Sequence, residues 1–110
     1  MALMTGREIV CLCGSTRFKK QYEEQMRQLT LAGFIVLTVG LFGHHEDTPL
    51  TDEIKRDLDL LHLDKIKLAH VVSFICPGGY IGESTKRELE YARKLGKRIA
   101  FPYDSPKEDT

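Results

Sequence analysis

The chain reads as an α/β protein of the Rossmann-like or flavodoxin-like kind, with a parallel sheet of four to five strands flanked by helices. Three observations predict this class. Short apolar runs alternate along the chain with segments of helical spacing. The runs EIVCLC, FIVLTV, HVVSFIC and KRIAFPY are apolar at consecutive positions rather than at every second one, the pattern of strands covered on both faces. The first three end at a glycine or at a Pro/Gly-rich loop.

Taken in order, EIVCLC (8–13) is a buried strand stopped by Gly14. From Phe18 to about Leu31, Tyr22, Met26 and Leu29 recur at helical spacing, and Gly33 supplies the stop. FIVLTV (34–39), rich in β-branched residues, is a second strand ending at Gly40. A loop carrying GHHEDTP (43–49) follows. Thr51 is a helix cap, and Asp52 and Glu53 in the first turn suit the positive end of the helix dipole. Ile54, Leu58, Leu61 and Ile66 then trace an apolar face as far as Ala69, widened by Leu60, Leu63 and Leu68. So broad a face is expected to pack on the sheet and on a second subunit, giving a homodimer. HVVSFIC (70–76) is the third strand and KRIAFPY (97–103) the fourth, with the glycine-rich stretch PGGYIGESTKRE (77–88) leading into the helix between them.

At 110 residues and 42% hydrophobic content, the chain is expected to form one domain, 1–110, with a real core. The formal net charge is zero and the basic residues are interspersed with acidic ones, which argues against a nucleic-acid or anionic-membrane partner. No run approaches the roughly 18 apolar residues of a membrane span, and MALMTGRE lacks the order of a signal peptide, so a cytoplasmic protein is expected. Three cysteines, Cys11, Cys13 and Cys76, sit on or beside strands, as buried free thiols do. Their spacing fits no common zinc pattern, and neither a metal nor another cofactor is expected.

In parallel sheets ligands bind beyond the carboxyl ends of the strands, which makes the three loops 14–17, 40–50 and 77–85 functional candidates. In CGSTRF, Gly14 permits a tight turn, while Ser15, Thr16 and Arg17 add two hydroxyls and a guanidinium to the outward amides, a cradle for one phosphate. The plainer reading is a helix cap followed by a surface arginine. In the third loop Gly78, Gly79 and Gly82 permit positive φ and close approach of a ligand, and Ser84 and Thr85 stand at a helix start where unpaired amides favour an anion. Thr85 and Glu88 also spell a capping box, which gives Glu88 an ordinary structural role. His62 lies on the apolar face of its helix, where a core role is commoner than a catalytic one. His44, His45, Glu46 and Asp47 are adjacent in a loop rather than at ligand spacing, and read as a solvated lid.

CGSTRF after the first strand, GGYIGESTKRELEYARKLGKRI after the third, and the LHLDKIKLAHVV junction resemble the nucleoside 2-deoxyribosyltransferase-like superfamily over residues 9–101. The most specific part is Glu88 followed by LEYARKLGK, which keeps the family spacing from a nucleophilic glutamate to a lysine, here Lys97. The resemblance implies that Glu88 attacks the anomeric carbon of a sugar. The Cys-Gly-Ser-x-Arg opening resembles the branch of nucleoside 5′-monophosphate N-hydrolases, which implies phosphate binding by Gly14, Ser15 and Arg17, and by Gly79, Gly82, Ser84 and Thr85 of the third loop. The chain departs from the family at Cys11, where an aromatic is usual, at His62, where an acidic residue is usual, and at His70, where an aspartate is usual. His62 is then the candidate general acid toward the leaving base. PGGYIGES also resembles the glycine loop of the Lonely Guy phosphoribohydrolases, whose chemistry is of the same kind. The expected function is therefore cleavage or transfer at the N-glycosidic bond of a nucleotide or nucleoside; the alternative is a non-catalytic nucleotide-binding module.

Overall fold

The computed structural model describes residues 6–42 and 50–107. The order along the chain is β1 (Ile9–Gly14), a 3₁₀ turn (Thr16–Phe18), α1 (Lys19–Leu31), β2 (Ile35–Leu37), α2 (Asp52–Leu68), β3 (Val71–Ile75), a second 3₁₀ turn (Pro77–Gly79), α3 (Glu83–Lys94) and β4 (Arg98–Ala100). All pairings are parallel, in the order β2-β1-β3-β4. The α/β class with a parallel sheet holds, with four strands among the described residues.

Side-chain alternation along the strands builds two cores. Val10 and Leu12 of β1 and Ile75 of β3 pack with Tyr22 of α1 and with Phe42. Cys11 and Cys13 point to the opposite face and join Val72 and Phe74, under Ile66 of α2 and Leu89 and Ala92 of α3. The three cysteines are free and buried.

α2 starts where its cap places it: Thr51 Oγ1 accepts from the Ile54 amide at 3.1 Å. Its apolar face is only partly covered. His62, Ile66 and the following Ala69 are buried, whereas Leu60 is 62% and Leu68 66% exposed. At the amino ends of the strands, the Ile9 amide donates to His70 Nδ1 at 3.0 Å, and the His70 amide donates to the Ile9 carbonyl at 2.8 Å. His70 therefore ties β1 to the start of β3. No helix among the described residues is long and apolar enough to cross a membrane.

α3 begins earlier than a capping box at Thr85 requires. Gly82 is its N-cap, so Thr85 is already the third helical residue, and it is buried. Glu88 falls in the second turn, beyond reach of the orphan amides, and the capping role is overturned.

Candidate active site

The chain passes from β1 to one side for β2 and to the other for β3, so the crevice at the carboxyl ends of β1 and β3 is a topological switch point. A cavity of about 610 Å³ opens there, within the range of small-molecule sites, roughly 300–1,000 Å³. Its walls come from the loop after β1 (Gly14, Ser15, Thr16, Arg17), the segment after β2 (Val39, Gly40, Leu41), the start of α3 (Gly82, Glu83, Ser84, Thr85, Glu88) and one face of α2.

The loop after β1 is tightly held. Gly14 has φ +144°, and a Cβ there would stand 2.6 Å from the Ile75 carbonyl oxygen, so only glycine lets β1 end this close to β3. The Tyr22 hydroxyl donates to the Gly14 carbonyl at 2.8 Å. Ser15 caps the 3₁₀ turn, its Oγ accepting from the Arg17 amide at 3.3 Å. The Arg17 guanidinium lies over the Tyr80 ring, 4.3 Å from the centroid, and Phe18 meets the same ring edge-on at 5.8 Å.

The glycines of the third loop divide in their roles. Gly78 and Gly79 adopt φ +69° and +81°. The Gly78 amide donates to Asp104 Oδ2 at 2.7 Å and the Lys107 amide to the Gly79 carbonyl at 2.9 Å, so the residues after β4 strap this turn down. A Cβ on Gly79 would meet Lys107 Cγ at 2.7 Å. Gly79 is buried under that strap and is not in the cavity wall, unlike the substrate-binding position expected of it. Gly82 does face the cavity, in extended backbone, and offers no side-chain cap, so the first amides of α3 have no intrahelical acceptor.

From α2, Leu58, Asp59, Leu61, His62 and Lys65 face the cavity, the spacing of one helical face. Lys65 Nζ donates to the Thr38 carbonyl at 2.7 Å, which ties α2 to the end of β2. His62 is buried, with Nε2 3.2 Å from Cys13 Sγ and 3.9 Å from Cys11 Sγ. Burial raises the Glu88 carboxyl to about 7, against the pull of the His62 charge. For His62, burial opposes protonation, but the Cys11 hydrogen bond and the Glu88 charge outweigh it and the imidazole is raised. A Cys13 hydrogen bond lowers the Cys11 thiol to about 6, against burial and with help from His62. Cys13 is driven the other way, upward, by burial, by Cys11 and by the Glu88 charge. Glu88 and His62 of the cavity wall are therefore electrostatically linked to the two buried thiols.

The fold thus brings Gly14, Ser15, Arg17, His62, Gly82, Ser84, Thr85 and Glu88 to one cavity and leaves Gly79 out. Residues 43–49, with His44, His45, Glu46 and Asp47, lie outside the described residues. Sequence reasoning missed Asp59 and Lys65, which sit at i−3 and i+3 from His62 and were open to discovery by that spacing. It also missed Tyr80, which no periodicity marks, and the convergence of Cys11 and Cys13 on His62 across the sheet-helix interface.

No family model matches the chain, and no curated protein matches it in sequence. Solved structures do match. A 2-deoxyribosyltransferase from Bacillus psychrosaccharolyticus superposes with TM-score 0.69 at 20% identity, over 83% of this chain and 69% of that one. A CMP N-glycosidase from Clostridium botulinum gives 0.58 at 22% identity, covering 84% and 68%. A 2-deoxyribosyltransferase from Leishmania mexicana gives 0.59 at 15% identity, covering 84% and 61%. The chain shares its fold with these three proteins, which are of the kind its loop motifs resemble.

Proposed function

We propose that the protein is an enzyme that cleaves or transfers the N-glycosidic bond of a nucleoside 5′-monophosphate, ribo- or deoxyribo-, with Glu88 as nucleophile. The observation that carries this reading is that Glu88 lines the same cavity as an anion cradle built by the loop after β1 and the start of α3. The cradle comprises Gly14, Ser15 and Arg17 on one side and the amides of α3 after Gly82, with Ser84 and Thr85, on the other. With the phosphate there, the sugar extends toward α2, and Asp59, which lines the cavity, accepts from its hydroxyls.

In the first step a Glu88 carboxylate oxygen bonds to C1′ as the C1′–N bond breaks through an oxocarbenium-like transition state. The bonding pair goes to the base nitrogen, which takes a proton from the His62 imidazolium. In the second step water attacks C1′, neutral His62 accepts its proton, and the sugar phosphate leaves a free carboxylate. Attack by a second base instead of water gives transfer. The charges of Glu88 and His62 each favour ionisation of the other, and for Glu88 this opposes the burial that raises its carboxyl to about 7. The exposed leucines of α2, Leu60 and Leu68, support a homodimer as the working unit.

The test is incubation with ribo- and deoxyribonucleoside monophosphates and chromatography for free base. The wild type releases base, Glu88→Ala and Glu88→Gln do not, and a peptide containing Glu88 gains the mass of one glycosyl phosphate on trapping. Base release retained by both variants overturns the nucleophile assignment. Nucleotide binding without release gives the non-catalytic binding module instead.

A further inference from the structure

β1 and α2 bring together a donor set of which the glycosyl chemistry uses only His62. Cys11 and Cys13 are two apart on a strand, so both sulfurs leave the same face of the sheet. Both are fully buried, on the face covered by α2. His62 meets them there, with Nε2 3.2 Å from one sulfur and 3.9 Å from the other, and all three donor atoms lie within 4.8 Å of one another.

In a tetrahedral thiolate-imidazole centre, bonds of about 2.3 Å to sulfur and 2.0–2.1 Å to nitrogen put sulfur and nitrogen roughly 3.6 Å apart and two sulfurs roughly 3.8 Å apart. The observed sulfur-nitrogen separations bracket that value. An apolar core at this position is met by any aliphatic pair, so two thiols and an imidazole meeting at these distances need another account.

We propose that Cys11, Cys13 and His62 bind a soft divalent transition ion of the zinc type, with the fourth coordination position directed at the cavity. Glu88 or a water from the cavity completes the tetrahedron. Three protein ligands with an open position is the arrangement of an accessible site rather than a closed structural one. Thiolate ligands select zinc-like ions over magnesium or calcium. Binding exchanges protons for metal: thiol hydrogens still present on Cys11 and Cys13 pass to solvent as the two metal-sulfur bonds form, with no change in sulfur oxidation state. The ion occupies the imidazole nitrogen that the glycosyl reaction uses for proton transfer, so metal occupancy and base release exclude one another.

The test begins with reduced, chelator-treated full-length protein titrated anaerobically with Co²⁺. One equivalent is expected to produce thiolate-to-cobalt charge transfer in the near ultraviolet and the intensified visible bands of tetrahedral cobalt, and Zn²⁺ is expected to erase both. Cys13→Ser and His62→Gln lose the charge-transfer band or its tetrahedral partner, while Cys76→Ser and the double variant His44→Ala/His45→Ala retain both. X-ray absorption on the zinc-loaded wild type, which needs no substitution to fold, is expected to show two sulfur scatterers with nitrogen or oxygen completing the shell. A shell without sulfur, or cobalt bands that survive in a Cys11→Ser/Cys13→Ser variant with native circular dichroism, overturns the proposal. These readouts do not depend on activity, so they stand or fall separately from the glycosyl reaction.

Discussion

The Arg17 guanidinium lies across the Tyr80 ring, 4.3 Å from its centroid, so the loops after β1 and β3 meet in the wall of the cavity. Stacking fixes the plane of the guanidinium, which a lysine ammonium cannot reproduce. Arg17→Ala is expected to raise KM for a nucleoside monophosphate about 10- to 100-fold, the loss of a charged hydrogen bond of about 1.5–3 kcal/mol. It should change KM for the unphosphorylated nucleoside little. Arg17→Lys recovers only part of the loss. Equal effects on both substrates in steady-state kinetics would place the phosphate elsewhere.

Glu88 also sets a pH dependence of stability. Its carboxyl, ordinarily at 4.5, is raised to about 7 in the folded chain, mainly by burial. Between these values the unfolded chain has released a proton that the native chain keeps, so stability is full on the acidic side, falls as pH rises through this window, and levels off above about 7. His62, raised by Cys11 and Glu88 despite its burial, adds to the same trend at the upper end. Glu88→Gln removes the carboxyl titration. In chelator-treated protein the variant is expected to match the wild type near pH 4.5 and to exceed it by about 2 kcal/mol at pH 8, given 1.36 kcal/mol per pH unit and partial solvent screening. Denaturant titrations at the two pH values check this. A wild type that is equally or more stable at pH 8 contradicts the buried carboxyl.

Glu88 also shows what was legible before the fold was known. The strand-helix alternation and the Thr51 cap were plain because they are local: apolar runs and a first turn with Asp52 and Glu53 state their own structure. Two features that local pattern does not give, the absence of Gly79 from the cavity wall and the start of α3 ahead of Thr85, depend on where a neighbour lies. Gly79 is covered by Lys107, and α3 starts at Glu83 because Gly82 caps it without a side chain. The convergence of Cys11 and Cys13 on His62 joins residues about fifty apart in sequence through the register of α2 on β1, which no periodicity encodes.

Gly14 is expected to tolerate no side chain. At φ +144°, with a Cβ 2.6 Å from the Ile75 carbonyl oxygen, alanine meets both backbone strain and a backbone clash. Gly14→Ala should destabilise the fold by about 2–4 kcal/mol, since either effect alone costs on the order of 1–3. Gly78→Ala, at φ +69° with nothing within 4 Å of its Cβ, has the strain without the clash and should cost less. Thermal unfolding of the pair orders the two; a milder effect at Gly14 would mean that β1 and β3 separate readily at the cavity floor.

Lys97 keeps the spacing from Glu88 that the resemblance rests on, yet it lies away from the chemistry. Its ammonium donates to the Lys67 carbonyl at 2.8 Å, satisfying an acceptor in the last turn of α2, where a cation also suits the negative end of the helix dipole. The spacing therefore records how α3 and β4 are anchored to α2, the helix that holds His62. Lys97→Met is expected to lower stability by about 1 kcal/mol, the net worth of one such hydrogen bond with its dipole contribution. KM for substrate and the pH profile of base release should stay as in the wild type. A change in either at temperatures well below unfolding would show that Lys97 acts on the site, and the anchoring role would then be insufficient.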